Sequence, residues 1–322
     1  MFCRQLRALA LSLTAIAIAA PASAQDYPSR PVRIVVPFGT GTGTGIDGVA
    51  RALATRLATE LGQPVTVENR AGASGMIGAE VVSTAPADGH TLLLASVSVF
   101  SVNPVTFAKI PYDSLKSFTP ISMVYSQPMV VAASMKMPAR TLPELVSLAK
   151  AKPDSVSAGT LGSFQALAVQ QFASATGTRI LNVPYRNAAL MALVGGEIDM
   201  TLDVISLVLP QSRADKVKAL AVTSAKRSPL APDIPSVAEF GYADFDMTAW
   251  TALVGPPEMP RPVVERINRA IVRIIENKEV VDQFGTQGIT MVSSSPEQLA
   301  AHLQAEQVRW QKAAQDAGIK PQ

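Results

Sequence analysis

Apolar runs of strand character alternate with amphipathic helical stretches through most of the chain, and this alternation constrains the fold more than any other feature. Residues 32–38 (VRIVVPF) form such a run and lead into a Gly/Thr loop. Ile46, Val49, Leu53, Leu57 and Leu61 then recur at spacings of three and four, with Arg51, Arg56 and Glu60 on the other side. That period predicts an amphipathic helix, stopped by Gly62. The same reading places strands at 64–68, 91–96, 156–158, 180–184, 198–202 and 219–223. It places helices at 76–85, 143–151, 164–176, 188–194 and near 205–211. Strands separated by helices lie side by side in parallel sheets with the helices packed over them.

Toward the C-terminus the rhythm changes. Residues 245–254 read as an extended strand stopped by Gly255-Pro256-Pro257. A helix over 262–276 follows, with Val263, Ile267, Ile271 and Ile274 on one face, and a last helix over 297–317 carries Leu299, Leu303 and Trp310. The expected arrangement is two α/β domains. The chain crosses from the first near 122–127, returns near 245–250 and finishes on the first. Ligands of open parallel sheets bind outside the carboxyl ends of strands, so two such ends facing each other form one cleft.

The first 24 residues read as an export signal. Arg4 and Arg7 precede an apolar stretch over 8–20, Pro21 breaks it, and Ala22-Ser23-Ala24 is a small-x-small cleavage site. The mature chain is therefore expected to start at Gln25 and to be a soluble exported protein. This also changes the charge balance. The 322 residues carry 28 Lys+Arg against 25 Asp+Glu, a formal +3. Without Arg4 and Arg7, 26 basic residues face 25 acidic ones. The longest basic run is Lys226-Arg227, and phosphate tracking needs clustered cations, so no nucleic-acid partner is expected. Cys3, the one cysteine, precedes the cleavage site, which leaves the mature chain without disulfides or thiol chemistry.

Three strand-to-helix junctions, at 39–45, 72–75 and 159–163, are rich in Gly, Ser and Thr. The free N–H groups of a first helical turn, with the positive end of its dipole, suit an anion without a dedicated arginine. Such junctions also use glycine for turn geometry alone, but three in one chain point to a carboxylate-type or phosphate-type ligand. Gly43-x-Gly45-x-x-Gly48, with Glu68 about 20 residues on, matches a dinucleotide fingerprint and supports the alternative of an NAD-dependent enzyme. Against it, Gly48 falls one turn inside the helix, and export removes the protein from the NAD pool.

Other catalytic sets are thin. His90, in a turn, and His302, on the last helix, have no partners at metal or Ser–His spacing, and surface or turn roles are expected for both. Ser147-x-x-Lys150 lies mid-helix without an accompanying Lys-Thr-Gly. Tyr185 and Trp250 read as core aromatics in preference to pocket walls. Asp203, at a strand's carboxyl end, is either a helix cap or a ligand contact. No cofactor and no metal is expected, and the absence of a catalytic set favours binding over turnover.

Several stretches together carry a family resemblance. They are Tyr27-Pro-Ser-Arg-Pro31, Ile34-Val-Val-Pro-Phe38, and Val65-Thr-Val-Glu-Asn-Arg70 with Gly72-x-x-Gly75-x-Ile77-Gly78. Pro86-Ala-Asp-Gly-His90, Val183-Pro-Tyr185, Gly195-Gly-Glu-Ile-Asp199 and Pro232-Asp-Ile-Pro-Ser-Val-Ala-Glu239 follow in order. In these the chain resembles the Bug proteins, periplasmic receptors of tripartite tricarboxylate transporters, over nearly its whole mature length.

The resemblance implies an α/β, two-domain periplasmic-binding-protein fold of the type II, Venus-flytrap kind, with parallel-rich sheets and a central ligand cleft. Residues 25–124 with 249–322 would form domain 1, and 125–248 domain 2. A monomeric receptor of this kind would capture a small aliphatic or aromatic carboxylate and deliver it to a membrane permease. Carried over by position, first-domain contacts would come from Phe38, Thr42, Gly43, Thr44, Gly45 and Asp47, with Ser74 and Ser96. Second-domain contacts would come from Thr160, Leu161, Gly162, Ser163, Tyr185 and Asp203. The chain departs from the family pattern in its longer first loop without prolines. It departs again at Ala166, where a histidine is usual, at Arg186-Asn187, and at Val204. These changes point to a less polar carboxylate.

Overall fold

Strand β1 (Val32–Val36) is buried along its length except at Arg33, because its remaining side chains are Val and Ile with helices over both faces. The computed structural model describes residues 27–39, 45–185, 189–243, 245–316, 318 and 321. The export segment and its cleavage site therefore lie outside the described residues. Helix α1 (Gly45–Leu61) follows β1, then β2 (Val65–Asn69), α2 (Met76–Ser83) and β3 (Thr91–Ser96). β1 pairs in parallel with β2 (Val32 opposite Val65) and with β3 (Arg33 opposite Thr91). The predicted stripe of α1, Val49, Leu53, Leu57 and Leu61, is buried against Ile34, Leu92 and Leu94 of this sheet. Each fully buried Leu or Val of this kind contributes about 1.5–3 kcal/mol. Beyond β3 a π-helical turn (Ser98–Val102) runs into α3 (Asn103–Thr106), two elements with no period in the sequence.

The next strand, β4 (Thr119–Ser134), is sixteen residues long and serves two sheets. The chain then runs through α4 (Leu142–Ala151), β5 (Ser157–Leu161), α5 (Gly162–Thr176), β6 (Leu181–Tyr185), α6 (Ala189–Gly195), β7 (Met200–Val204), α7 (Ile205–Arg213) and β8 (Val217–Val222). It closes with β9 (Thr248–Gly255), α8 (Arg261–Ile275), α9 (Lys278–Gly285), β10 (Thr290–Met291) and α10 (Pro296–Asp316). From Thr119 to Pro128, β4 pairs with β9 in the first sheet, ordered β2-β1-β3-β9-β4-β10. From Met129 onward it lies between β7 and β8 in the second, ordered β8-β4-β7-β5-β6. Pro128 has no N–H to give and stands where the strand changes partners.

Two expectations need correction. The sheets are mixed: β1 with β2 and β3, and β5 with β6 and β7, are parallel, but every pairing of β4 and β9 is antiparallel. The return crossing runs back against the strands it rejoins, which a strand-helix rhythm does not reveal. The outward change of sheet lies at Pro128–Met129, immediately after the expected 122–127. No strand is expected over 119–134 from the sequence, and β4 is found there; bulges beside Ser122 and Val124 interrupt the alternation of its first half.

The histidines are also less exposed than expected. His90 is buried in its turn with its ring edge-on to Tyr27, and half-buried His302 packs against Trp250 at 4.8 Å. Trp250 is a core residue, stacked on Phe100, and Trp310 of α10 meets Phe164 of α5 edge-on at 5.6 Å. Helix α10 thus returns to the first sheet and braces the second lobe at the same time.

Candidate functional site

Asn69, at the end of β2, organises the first junction. Its Nδ2 donates to the Phe38 carbonyl at 3.1 Å and to Asp47 Oδ1 at 2.9 Å. Arg51, one turn along α1, donates to both oxygens of Asp47 at 3.0 and 3.1 Å. An acid in the first turn of a helix is favourably placed toward the dipole, and these bonds make the Asp47 carboxylate part of the scaffold of the loop. Gly45 opens α1 with φ +74°, and the half-buried Phe38 ring packs toward Gly75. Thr42, Gly43 and Thr44 lie outside the described residues. Gly48 lies inside α1, and Glu68 is held by Arg33 and Arg70, so neither is poised as a dinucleotide fingerprint requires.

The second junction is a run of left-handed backbone: Gly72, Ala73, Ser74 and Gly75 have φ of 136, 47, 53 and 89°. Such angles cost a non-glycine residue about 1–2 kcal/mol each and persist only where surroundings impose them. Here the Ser74 carbonyl accepts from Asn103 Nδ2 at 3.0 Å. Gly75 is the N-cap of α2 and provides no side-chain cap; the Met76 N–H is spent on the Ala73 carbonyl, and the first-turn N–H groups beyond it have no side-chain cap.

The third junction has the same design. Gly162 opens α5 with φ +71°, and Leu161 before it gives no side-chain cap. Thr160 is buried and donates to Asn182 Oδ1 at 2.8 Å. Gln165, one turn on, accepts the Leu161 N–H at 2.6 Å and so fixes the loop from within the helix. Ser163 donates to Asn103 Oδ1 at 3.0 Å across the gap between lobes. A Cβ on Gly162 would stand 3.9 Å from Ser74 Oγ. The loops that start α2 and α5 therefore meet.

Beside this meeting point lies a cavity of about 940 Å³ whose wall includes Ser74, Thr160, Gly162, Ser163, Ala166 and Asn182. Four of the expected contacts share it. Ser96 stands half-buried at the end of β3 opposite Thr251, and Tyr185 ends β6 with its ring 3.5 Å from a Cβ on Gly159. Leu161 is exposed at the rim. Asp203, on β7, is buried, and burial pushes its carboxyl up to about 6. The Val204 N–H, at 2.8 Å from Oδ1, and Gln165 offset part of that rise. The helix that follows is capped at Val204, so Asp203 is not its cap residue.

Asn103, Gln165 and Asn182 carry this geometry and were absent from the sequence reading. Gln165 lies at i+4 from Leu161, a spacing that a helix beginning at 162 makes legible. Asn103 and Asn182 carry no local signal. Among the described residues no three His, Cys, Asp or Glu side chains gather as a metal site, and no helix is long and apolar enough to cross a membrane.

Residues 49–319 match the family model described as the tripartite tricarboxylate transporter family receptor. The chain is 36% identical over 322 residues to Protein BugT of Bordetella pertussis, covering 98% of each. Among solved structures it is similar to R. palustris Rpa4515 with adipate, at TM-score 0.86 and 30% identity, over 92% of this chain and 100% of that one. MatC from Rhodopseudomonas palustris with bound malate aligns at TM-score 0.81 and 31% identity, over 89% of this chain and 99% of that one.

Proposed function

We propose, from the premise that this chain belongs to the tripartite tricarboxylate transporter receptor family, that its solute is a small carboxylate gripped between the two lobes. The chain is a solute-binding receptor, and its family is one of periplasmic receptors, not of enzymes. The observation that carries the carboxylate is the meeting of two helix starts without side-chain caps, α2 and α5, beside a cavity with Ser74, Thr160 and Ser163 in its wall. Oriented N–H groups and hydroxyls bind an anion without a fixed countercharge. The similar structures with adipate and malate support the same ligand class.

The finer reading is as follows. Domain 1 is 25–124 with 249–322, domain 2 is 125–248, and the hinge lies where β4 changes sheets and where the chain re-enters the first sheet at the start of β9. Phe38, the loop from Thr42 to Asp47, Ser74 and Ser96 form one jaw; Thr160 to Ser163, Tyr185 and Asp203 form the other. Export with cleavage after Ala24 releases a monomer, which closes on its ligand and hands it to a membrane permease. Ala166 and Val204 favour a ligand with a substantial apolar part.

The test is calorimetry and thermal shift of residues 25–322 against mono-, di- and aromatic carboxylates, with NAD as the contrast. At least one carboxylate is expected to raise the melting temperature by RT ln(1 + [L]/Kd) worth of stability, and NAD is not. Stabilisation by NAD with none by any carboxylate overturns the reading.

A further inference from the structure

We propose that Asn103 is a positioning residue whose side-chain amide clasps the two jaws of the site together. Asn103 is fully buried at the start of α3, in the first lobe. Its orientation follows from its neighbours. The Ser74 carbonyl can only accept, so Nδ2 faces it at 3.0 Å. Tyr112 spends its proton on the Val99 carbonyl at 2.8 Å and accepts from the same Nδ2 at 3.3 Å. Oδ1 is thereby turned toward the second lobe, where Ser163 Oγ donates to it at 3.0 Å.

One amide thus does two things. Its donor end holds Ser74 in the left-handed backbone that opens α2, and its acceptor end receives the first turn of α5. The donor bonds lie within the first lobe and persist when the lobes part. The acceptor bond spans both lobes and forms only in the closed arrangement. Opening leaves Oδ1 to water, so the bond adds to the closed state the margin of one hydrogen bond, about fivefold in the closed-to-open ratio. Asn103 lies on neither strand-to-helix loop, and its role rests on the carboxylate-receptor reading only in that closure accompanies capture.

Closure is read by electron spin-spin distances between nitroxides on Glu80→Cys of α2 and Ser147→Cys of α4, both exposed, in the mature chain, which has no other cysteine. Measurements run alone and with adipate as probe. Ser163→Ala and Asn103→Leu are each expected to lower the closed-to-open ratio about fivefold, with no further loss in the double variant. Asn103→Asp keeps the acceptor and is expected to retain the closed fraction, while thermal stability falls from loss of the donor to Ser74. Ser163→Ala removes one hydroxyl from the half-buried first turn of α5 and keeps the test readable where Asn103→Leu fails to fold. An unchanged distance distribution in Ser163→Ala, additive losses in the double variant, or a parent chain with no closed component under either condition overturns the proposal. Failure of the functional reading is separate: no carboxylate binds by calorimetry, yet the ligand-free parent still closes and Ser163→Ala still opens it.

Discussion

The hydroxyl of Thr223 donates to the Met247 carbonyl at 2.6 Å and accepts the Met129 N–H at 2.9 Å, so one side chain joins the outgoing and the returning strand where both pass between sheets. Thr223 is completely buried just after β8. Without its hydroxyl, the Met247 carbonyl and the Met129 amide keep only the long 3.4 Å bond they make with each other. Thr223→Val, nearly isosteric, is expected to destabilise the protein by about 1–3 kcal/mol. Thr223→Ser, which keeps the hydroxyl, is expected to lose less. Urea unfolding midpoints at constant slope measure both; no loss in Thr223→Val, with a loss in Thr223→Ser, would assign the role to packing of the methyl group.

Asp203 makes stability depend on pH in a direction opposite to most carboxylates. Burial raises its folded-state pKa from 3.8 to about 6, so the folded chain keeps a proton that the unfolded chain releases. Stability from this group is full below about pH 4, is lost as pH rises through about 6, and is flat above; the span is of order 3 kcal/mol. Asp203→Asn is expected to match the parent near pH 4 and to be the more stable protein at pH 7.5. Paired urea titrations at pH 4.5, 6 and 7.5 check this, and a parent-to-variant difference that does not change with pH rejects it.

Gly78 and Gly162 are expected to respond to alanine for different reasons. Gly78 is interior to α2, where alanine would normally gain about 1 kcal/mol. Its Cβ would instead stand 2.8 Å from Pro37 Cα and 3.0 Å from the Arg70 carbonyl, both backbone. Overpacking of about 1–3 kcal/mol outweighs the propensity, so Gly78→Ala is expected to lower the melting temperature. At Gly162 the space is open toward Ser74, but φ is +71°, and alanine there costs about 1–2 kcal/mol of backbone strain. Gly162→Ala is therefore expected to weaken carboxylate binding as well as stability, whereas Gly78→Ala acts on the melting curve. Melting and calorimetry together separate the two.

Both tryptophans of the chain report on one buried carboxylate. Trp250 and Trp310 each donate their indole N–H to Glu306 Oε2, at 2.8 and 3.0 Å, and Arg309 donates to Oε1 at 2.8 Å. Glu306→Ala leaves two buried indole donors unpaired and removes the carboxylate from half-exposed Arg309, which keeps the Asp246 carbonyl; the loss is about 2–6 kcal/mol, from the two indoles. A red shift of the tryptophan emission is expected with it, since the cavity admits water beside both rings. Glu306→Gln, which still offers an acceptor, is expected to fall between. An unshifted emission maximum in Glu306→Ala would show that the rings are held by Phe100 and Phe164 alone.

Most elements were legible locally. The stripe of α1, the capping signal at Gly62 and strand β3 reached the structure within a residue or two, because burial on one face imposes a period that the sequence carries. Helix α9 and the π-turn with α3 were not, being short, and in the π-turn and α3 nearly every side chain is buried, so no amphipathic period survives. Half of the candidate site was legible for a different reason: Gly and Ser at strand-to-helix junctions, as at Gly72–Gly75 and Gly162, mark turns into helices whose first N–H groups could serve an anion.

By itself, then, the sequence determined the alternating elements, the glycine-rich junctions and the order of motifs that marks the family. It did so because each depends on the backbone preferences and burial of neighbouring residues. Only the tertiary structure decided that β4 changes sheets at Pro128–Met129, that Thr223 ties the crossing, and that Asn103 meets Ser74 and Ser163. Asn103 and Ser163 are 60 residues apart. Which polar groups meet over such a separation is set by how the chain returns on itself, and no local period records it.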